Sequence, residues 1–182
     1  MSQASDASRR IFLGLGANLG NRAAQLSAAL KILKAKDIHP VAVSQLYETE
    51  PVGERDQPDF LNQVVEVRTE LTCRRILAAA LETEAALGRI RERAGGPRHL
   101  DVDLLLDGDT ILGKGPVLVP HPRLHLRRFV LVPLVELAPD VRHPVLGRTI
   151  SQLLACCPDR SSVRLLTVAR RDPSRRAPRL FR

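Results

Sequence analysis

Asp101 and Asp103 stand two residues apart in Gly96-Pro97-Arg98-His99-Leu100-Asp101-Val102-Asp103-Leu104-Leu105-Leu106, a stretch whose alternation predicts a β-strand. On a strand, Leu100, Val102, Leu104 and Leu106 turn to one face and the two carboxylates to the other. Burying such a pair without compensation is costly, so it either faces water or holds a cation. Magnesium prefers octahedral oxygen coordination and usually takes one or two protein carboxylates together with phosphate oxygens and water. Two ions held this way would bridge a polyphosphate and orient an in-line attack. A half-exposed strand with ordinary polar residues fits the same stretch, and Asp-x-Asp alone does not choose between the two.

Arginine is the natural phosphate clamp, because its planar fork donates paired hydrogen bonds and stays charged. Arg89, Arg91 and Arg93 precede the aspartates, Arg98 lies in their own segment, and Arg127 and Arg128 follow His121. Any one of them reads equally as a solvated surface charge; two clusters flanking a carboxylate strand are harder to dismiss. His121, between Pro120 and Pro122, is either a phosphate donor or a plain loop residue. Gly14, Gly16 and Gly20 spell GxGxxxG, one residue too long for the dinucleotide fingerprint and without a Walker lysine, so they read as a flexible turn. No nucleophile–base pair is evident, and phosphoryl or pyrophosphoryl transfer needs none, since positioning and charge neutralisation can carry it. His99 reads as structural or exposed, and Cys73, Cys156 and Cys157 as packing residues.

The elements that must position these groups follow from periodicity. Residues 10–15 predict a first, central strand. Asn21 caps a helix over 22–36 with Leu26, Leu30 and Leu33 on one face, and Pro40 closes the connection. Residues 41–48 and 61–69 predict the second and third strands, joined by a loop too long and too rich in Pro, Gly and charge for a tight hairpin. Thr72 caps a second helix, 73–87, which Gly88 ends. A basic loop, 89–96, leads to the aspartate strand, and Val117 to Val119 forms another short one. Helices over 129–137, with Pro133 in its course, and from Thr149 to about Cys157 follow, then an edge strand over 163–168 and a disordered 170–182. The order βαββαβ plus a helical C-terminal part predicts an α+β, ferredoxin-like antiparallel sheet with both main helices on one face and the other face free for a site.

The chain of 182 residues suits one domain, placed over 1–160, with an Arg-rich tail over 161–182. Its formal charge of +8 is a property of that tail: eight arginines against one acid from Arg160 onward leave 20 basic and 19 acidic residues before it. The body has no global field to draw nucleic acid. There is no membrane-length apolar run and no apolar segment near the N-terminus, and the odd cysteine count fits a reducing compartment. A soluble, cytoplasmic monomer is expected.

Taken together, Gly14-Leu15-Gly16-Ala17-Asn18-Leu19-Gly20, Tyr47-Glu48-Thr49 with Pro51, Asp56-Gln57-Pro58-Asp59-Phe60-Leu61-Asn62, Gly96 to Asp103, and Val119-Pro120-His121-Pro122 through Arg128-Phe129 resemble the family of 6-hydroxymethyl-7,8-dihydropterin pyrophosphokinases of folate biosynthesis, from about Ile11 to Asp140. The resemblance implies transfer of diphosphate from ATP to the pterin hydroxymethyl oxygen, giving AMP and the pterin diphosphate. It implies two Mg2+ ions on Asp101 and Asp103, a pterin site of Thr49, Val52, Phe60, Asn62 and Phe129, and ATP contacts from Glu84, Arg91, Arg98, His121 and Arg127, with Arg89 a further candidate. Arg91 and Arg98 join the aspartates as catalytic residues.

The chain departs from the family's pattern at several points. Glu50 replaces a common proline, the Arg91–Arg98 spacing is one residue short, Gly95 falls where a tryptophan can occur, and Pro122 removes a possible aromatic contact. Residues 53–59 and 89–96 are the expected moving lids, because a phosphate transfer must exclude water. A ferredoxin-like RNA-binding module is the rival reading; four Phe, one Tyr and no RNP-like aromatic-glycine motif count against it. A non-catalytic protein on the same fold is the third, weakened by the presence of both aspartates and the pterin-side residues.

Overall fold

The computed structural model describes residues 9–53, 56–88 and 96–167. Arg89, Arg91 and Arg93, most of the second expected lid, and the stretch 170–182 expected to be disordered lie outside them. In chain order the elements are β1 (Ile11–Ala17), α1 (Arg22–Lys34), β2 (His39–Val43), β3 (Tyr47–Thr49), β4 (Phe60–Arg68), α2 (Cys73–Ala86), β5 (Asp101–Asp107), α3 (Arg128–Leu137), α4 (Ile150–Ala155) and β6 (Val163–Leu165). A short 3-10 turn, Leu124–Leu126, leads into α3. One mixed helix-and-sheet unit results, with strands in the order β5-β1-β4-β3-β6, β2 lying along β4 as well, and every pairing antiparallel.

Local chemistry explains the helix starts. The Asn21 side chain accepts from Ala24 N, that of Thr72 from Arg75 N, and Thr149 forms a reciprocal capping box with Gln152, each satisfying donors that the first helical turn leaves without partners. Lys31 and Lys34 sit in the last turn of α1, where cations complement the helix dipole. The single strand expected over 41–48 is instead two, β2 and β3, with Pro40 inside β2. Ser44 divides them: its N donates to Val64 O at 2.9 Å while its Oγ accepts from Val64 N at 3.0 Å. A side-chain hydroxyl thus replaces a backbone carbonyl in the ladder, and the chain bends there while both pieces stay against β4.

Two apolar layers sandwich the sheet. Ile11, Leu13, Leu15, Val65, Val67, Val102 and Leu104 pack against α1 and α2 through Leu26, Leu33, Ile76 and Ala80. Phe12, Val64, Leu105 and Leu106 pack against α3 and α4 through Val130, Leu131, Leu134, Ile150 and Leu153. Leu106 therefore does not share a face with Val102 and Leu104 as strict alternation predicts. The β1–β5 register slips between Phe12 and Leu13, pairing Phe12 with Leu106 but Leu13 with Leu104. Leu105 is the extra residue, and such a bulge reverses the facing of everything beyond it. Nor is the second face free along its whole length: α3 and α4 cover the Phe12 end, and the Gly16 end is left to polar residues.

The same bulge turns Asp107 toward the start of α2, where Arg9 grips it through Nε at 2.5 Å and Nη2 at 2.7 Å and the Cys73 thiol donates to it at 2.8 Å. Burial pushes the Asp107 carboxyl up, but the Arg9 fork and the thiol outweigh it and hold the group below the ordinary carboxylate range. Burial and the bond to Asp107 push the Cys73 thiol up to about 11, which makes it an inert packing residue. Asp107→Asn is expected to destabilise the fold by about 1–3 kcal/mol at neutral pH, nearer the lower figure because Arg9 is partly exposed. A group whose folded pKa is depressed contributes stability above its unfolded value of about 3.9 and loses it as pH falls through the folded value. Urea midpoints at pH 7 and pH 3 check this: the gap between wild type and Asp107→Asn narrows at pH 3, and a gap of constant size contradicts the account.

Candidate active site

The register brings the site together. Across the sheet, Asp101 of β5 pairs with Gly16 of β1, Gly16 with Asn62 of β4, and Asn62 with Tyr47 of β3; two residues along in one direction Asp103 pairs with Gly14, and two residues along in the other Thr49 pairs with Phe60. Paired residues in an antiparallel sheet share a face, so the carboxylates and the Thr49, Phe60 and Asn62 side chains all stand on the side carrying Phe12. Between them runs β1, represented on that side by two glycines. Neighbouring strands are about 4.8 Å apart, and the carboxylates thus face the β4 residues across a trough two strand spacings wide and floored by Gly14 and Gly16. Gly14 lies in the strand expected over 10–15, whereas Gly16 differs from the turn expected there because β1 continues to Ala17; of the three glycines only Gly20 has a left-handed backbone, φ +61.

On the β4 side, Asn62 donates from Nδ2 to Thr49 Oγ1 at 2.7 Å, and both residues are buried. A Cβ on Gly16 would sit 2.8 Å from Asn62 Oδ1, closer than real contacts permit. Gly16→Ala is accordingly expected to displace the Asn62 amide and raise the KM for a ligand read by it about 10-fold, with a melting temperature within a few degrees of wild type. An unchanged KM measured by steady-state kinetics refutes that geometry. Val52 is exposed in the loop after β3, and Phe129 packs at the edge of the second core beneath the Arg127 guanidinium, 5.5 Å from its ring centre.

On the β5 side, Arg98 donates from Nη1 to Asp101 Oδ2 at 2.8 Å and stands 5.5 Å over the Phe60 ring, while its buried Nε has no hydrogen-bond partner among the described residues. Arg127 Nη1 lies 3.3 Å and His121 Nε2 3.7 Å from Asp103 Oδ2. His121 reaches Asp103 because its backbone N donates to Leu105 O at 2.9 Å, pinning the 120–122 turn to the outer edge of β5. His121 Nδ1 accepts from Arg123 N at 3.1 Å, which leaves Nε2 to carry the proton of the neutral ring toward Asp103. Burial, and next the neighbouring Asp101, hold the Asp103 carboxyl above the ordinary range despite His121, Arg127 and Arg98. Burial likewise lowers His121 and Arg127 against the pull of Asp103. Two carboxylates forced together and ringed by cations suit a site that works with added positive charge and with anionic ligands.

Glu84 is placed differently from the other candidates. It is buried on α2, and its Oε1 accepts from Val102 N at 2.8 Å, so it supports the aspartate strand from the helix-covered side. Several contributors escaped the sequence reading. Asn18 ties Arg98 to the 57–58 loop, and Leu77, Leu104, Val117, Leu118 and Pro122 line a cavity of about 170 Å³ that opens beside Asp103 and His121. The five apolar residues carry no spacing signal, because α2, β5 and the segment 117–122 after it supply them together. A larger cavity, about 510 Å³ around Arg9, Cys73 and Asp107, lies at the other end of β5, where Arg9 and Asp107 pair with each other.

The antiparallel helix-and-sheet scaffold thus sets paired carboxylates among arginine and histidine donors on one side of a trough, opposite the Phe60 ring and the Asn62 amide. A profile for 7,8-dihydro-6-hydroxymethylpterin-pyrophosphokinase matches residues 12–139. The chain is 44% identical over 147 residues to the 2-amino-4-hydroxy-6-hydroxymethyldihydropteridine pyrophosphokinase of Methylorubrum extorquens, covering 80% of this chain and 92% of the relative. It is 42% identical to that of Pseudomonas aeruginosa, with 82% and 93% covered. The chain belongs to the 7,8-dihydro-6-hydroxymethylpterin-pyrophosphokinase family. Its fold is also that of a Plasmodium falciparum HPPK-DHPS structure with pterin and p-hydroxybenzoate, TM-score 0.64 at 16% identity, over 81% of this chain and 43% of that one. Among the described residues no helix is long and apolar enough to cross a membrane.

Proposed function

We propose that the chain transfers diphosphate from ATP to the hydroxymethyl oxygen of 6-hydroxymethyl-7,8-dihydropterin, giving AMP and the pterin diphosphate for folate biosynthesis, in the trough over Gly14 and Gly16. The observation that carries this reading is the row Asp101–Gly16–Asn62, which sets a phosphate-side group and a heterocycle-side group on one face with a side-chain-free strand between. Thr49, Val52, Phe60, Asn62 and Phe129 hold the pterin: an aromatic ring stacks on the flat heterocycle and the Asn62 amide reads its donor and acceptor edge. The buried, unpartnered Arg98 Nε is a donor suited to a phosphate oxygen. Arg127 and His121 add cationic and N–H donors, and the apolar cavity beside them suits the base of ATP. Arg89 and Arg91 are assigned to the phosphates by the family resemblance, with Arg91 and Arg98 acting in the transfer. Glu84 acts on the ATP side by holding the β5 backbone.

Asp101 and Asp103 fit a pair of magnesium ions: they are oxygen donors on one face, and the charge surplus between them is what a divalent cation relieves. Magnesium bound there would neutralise phosphate charge and polarise the transferred group. The residues themselves align the acceptor oxygen, fix the phosphates and keep the reacting groups at one separation. We place the scaffold in the ferredoxin-like class, since the order β5-β1-β4 followed by β2 and β3, with α1 and α2 packed on one face, follows the split βαβ pattern. A cytoplasmic monomer is our reading, and the free thiols Cys73, Cys156 and Cys157 fit the reducing compartment it implies. The test is AMP formation from ATP and magnesium with and without hydroxymethyldihydropterin. One AMP is expected per pterin diphosphate; ADP as product, or AMP formed at the same rate without the pterin, contradicts the reading.

A further inference from the structure

We propose that Asn18 is a positioning residue for the diphosphate transfer, its side-chain amide setting the distance between the loop that delivers Phe60 and the segment that delivers Arg98. The inference rests on the assignment of Phe60 to the heterocycle and Arg98 to the phosphates. Asn18 directly follows β1 and is 3% exposed. Its Oδ1 accepts from Arg98 N at 2.7 Å and its own backbone N donates to Arg98 O at 3.1 Å, closing a reciprocal pair. Its Nδ2 donates to Pro58 O at 3.1 Å and to Gln57 Oε1 at 3.0 Å.

The partners dictate which way the amide points. A backbone N–H can only donate and a backbone carbonyl can only accept, so Oδ1 must face Arg98 and Nδ2 must face Pro58. One side chain therefore bolts together segments that lie 40 and 80 residues away in the chain. What those segments carry is the point of contact between the two halves of the site: Phe60, two residues beyond Pro58, lies under the Arg98 guanidinium at 5.5 Å. An attacking oxygen held against the ring and a phosphate held by the guanidinium inherit that spacing. Asparagine is the residue type this geometry requires. Aspartate keeps the acceptor for Arg98 N but turns an oxygen toward two other oxygens; alanine removes all three side-chain bonds.

The variants divide the role accordingly. Asn18→Asp is expected to lower kcat per folded enzyme by about 10- to 100-fold and raise the pterin KM at least about fivefold, while the ATP KM stays within about twofold, since the Arg98 side is kept. Asn18→Ala is expected to raise both KM values, and Gln57→Ala, which removes one of the two loop-side bonds, to have a smaller effect than either. Rates are referred to the folded fraction measured by thermal melting, and Asn18→Asp carries the test if Asn18→Ala does not fold. Wild-type kinetics in Asn18→Asp, an equal rise of both KM values in it, or a lowered melting temperature with unchanged kcat per folded molecule each overturn the proposal. Asp101→Asn and Asp103→Asn run in the same assay separate the two levels. Inactive aspartate variants beside a fully active Asn18→Asp remove only this inference, whereas active aspartate variants remove the site assignment beneath it.

Discussion

Replacing either Asp101 or Asp103 with asparagine is expected to lower kcat by about three orders of magnitude or more, because electrostatic stabilisation and metal-held charge neutralisation supply much of the barrier reduction in such transfers. Asparagine has the shape of aspartate and keeps an oxygen for the Arg98 bond at position 101 or the Arg127 contact at position 103. The change therefore removes charge with little disturbance of packing. Stability should hold, or even rise, since burial and mutual repulsion already press on the Asp103 carboxylate. The checks are single-turnover rates across a magnesium titration and a thermal melt of each variant. If either variant keeps more than about a tenth of wild-type activity at saturating magnesium, the carboxylates are not the metal centre.

Arg98→Lys is the second large effect, a loss of about 100- to 1,000-fold in kcat with the melting temperature within a few degrees. Lysine keeps the charge and leaves the backbone bond from Arg98 N to Asn18 in place. It cannot keep the fork, which reaches Asp101 through Nη1, lies over Phe60, and carries a buried Nε without a hydrogen-bond partner among the described residues. The planar guanidinium thus serves a carboxylate and a ring face at once, which an ammonium on a flexible stem does not reproduce. Steady-state kinetics on Arg98→Lys and Arg98→Ala decide the matter. Near-wild-type activity in the lysine variant would falsify the claim that fork geometry, rather than charge, does the work.

Much of the scaffold is legible in the sequence alone. The caps Asn21, Thr72 and Thr149 work through hydrogen bonds within a single turn, and β1, β4 and the two long helices follow from periodicity that neighbours in the chain express. The failures share a cause. Ser44 splits one expected strand into two because its hydroxyl finds Val64 on β4, and Leu106 changes face because β1 and β5 slip by one residue. Both events depend on a partner strand far away in the chain.

For the site, the sequence by itself determined the ingredients: two carboxylates with the same facing, arginines on either side of them, and the family motif that links Asn62 and Phe60 to a pterin. Charge, alternation and residue type are properties of short segments, and they survive without a fold. Only the tertiary structure decided the arrangement. It extended the first strand through Gly16, so that Gly14 and Gly16 floor the trough between β5 and β4, brought His121 and Arg127 onto Asp103, and placed Glu84 behind the strand rather than in the trough. It also showed Asn18 joining Arg98 to the loop before Phe60. Register between strands and hydrogen bonds between loops are relations across many tens of residues, set by how the whole core packs, and no local pattern encodes them.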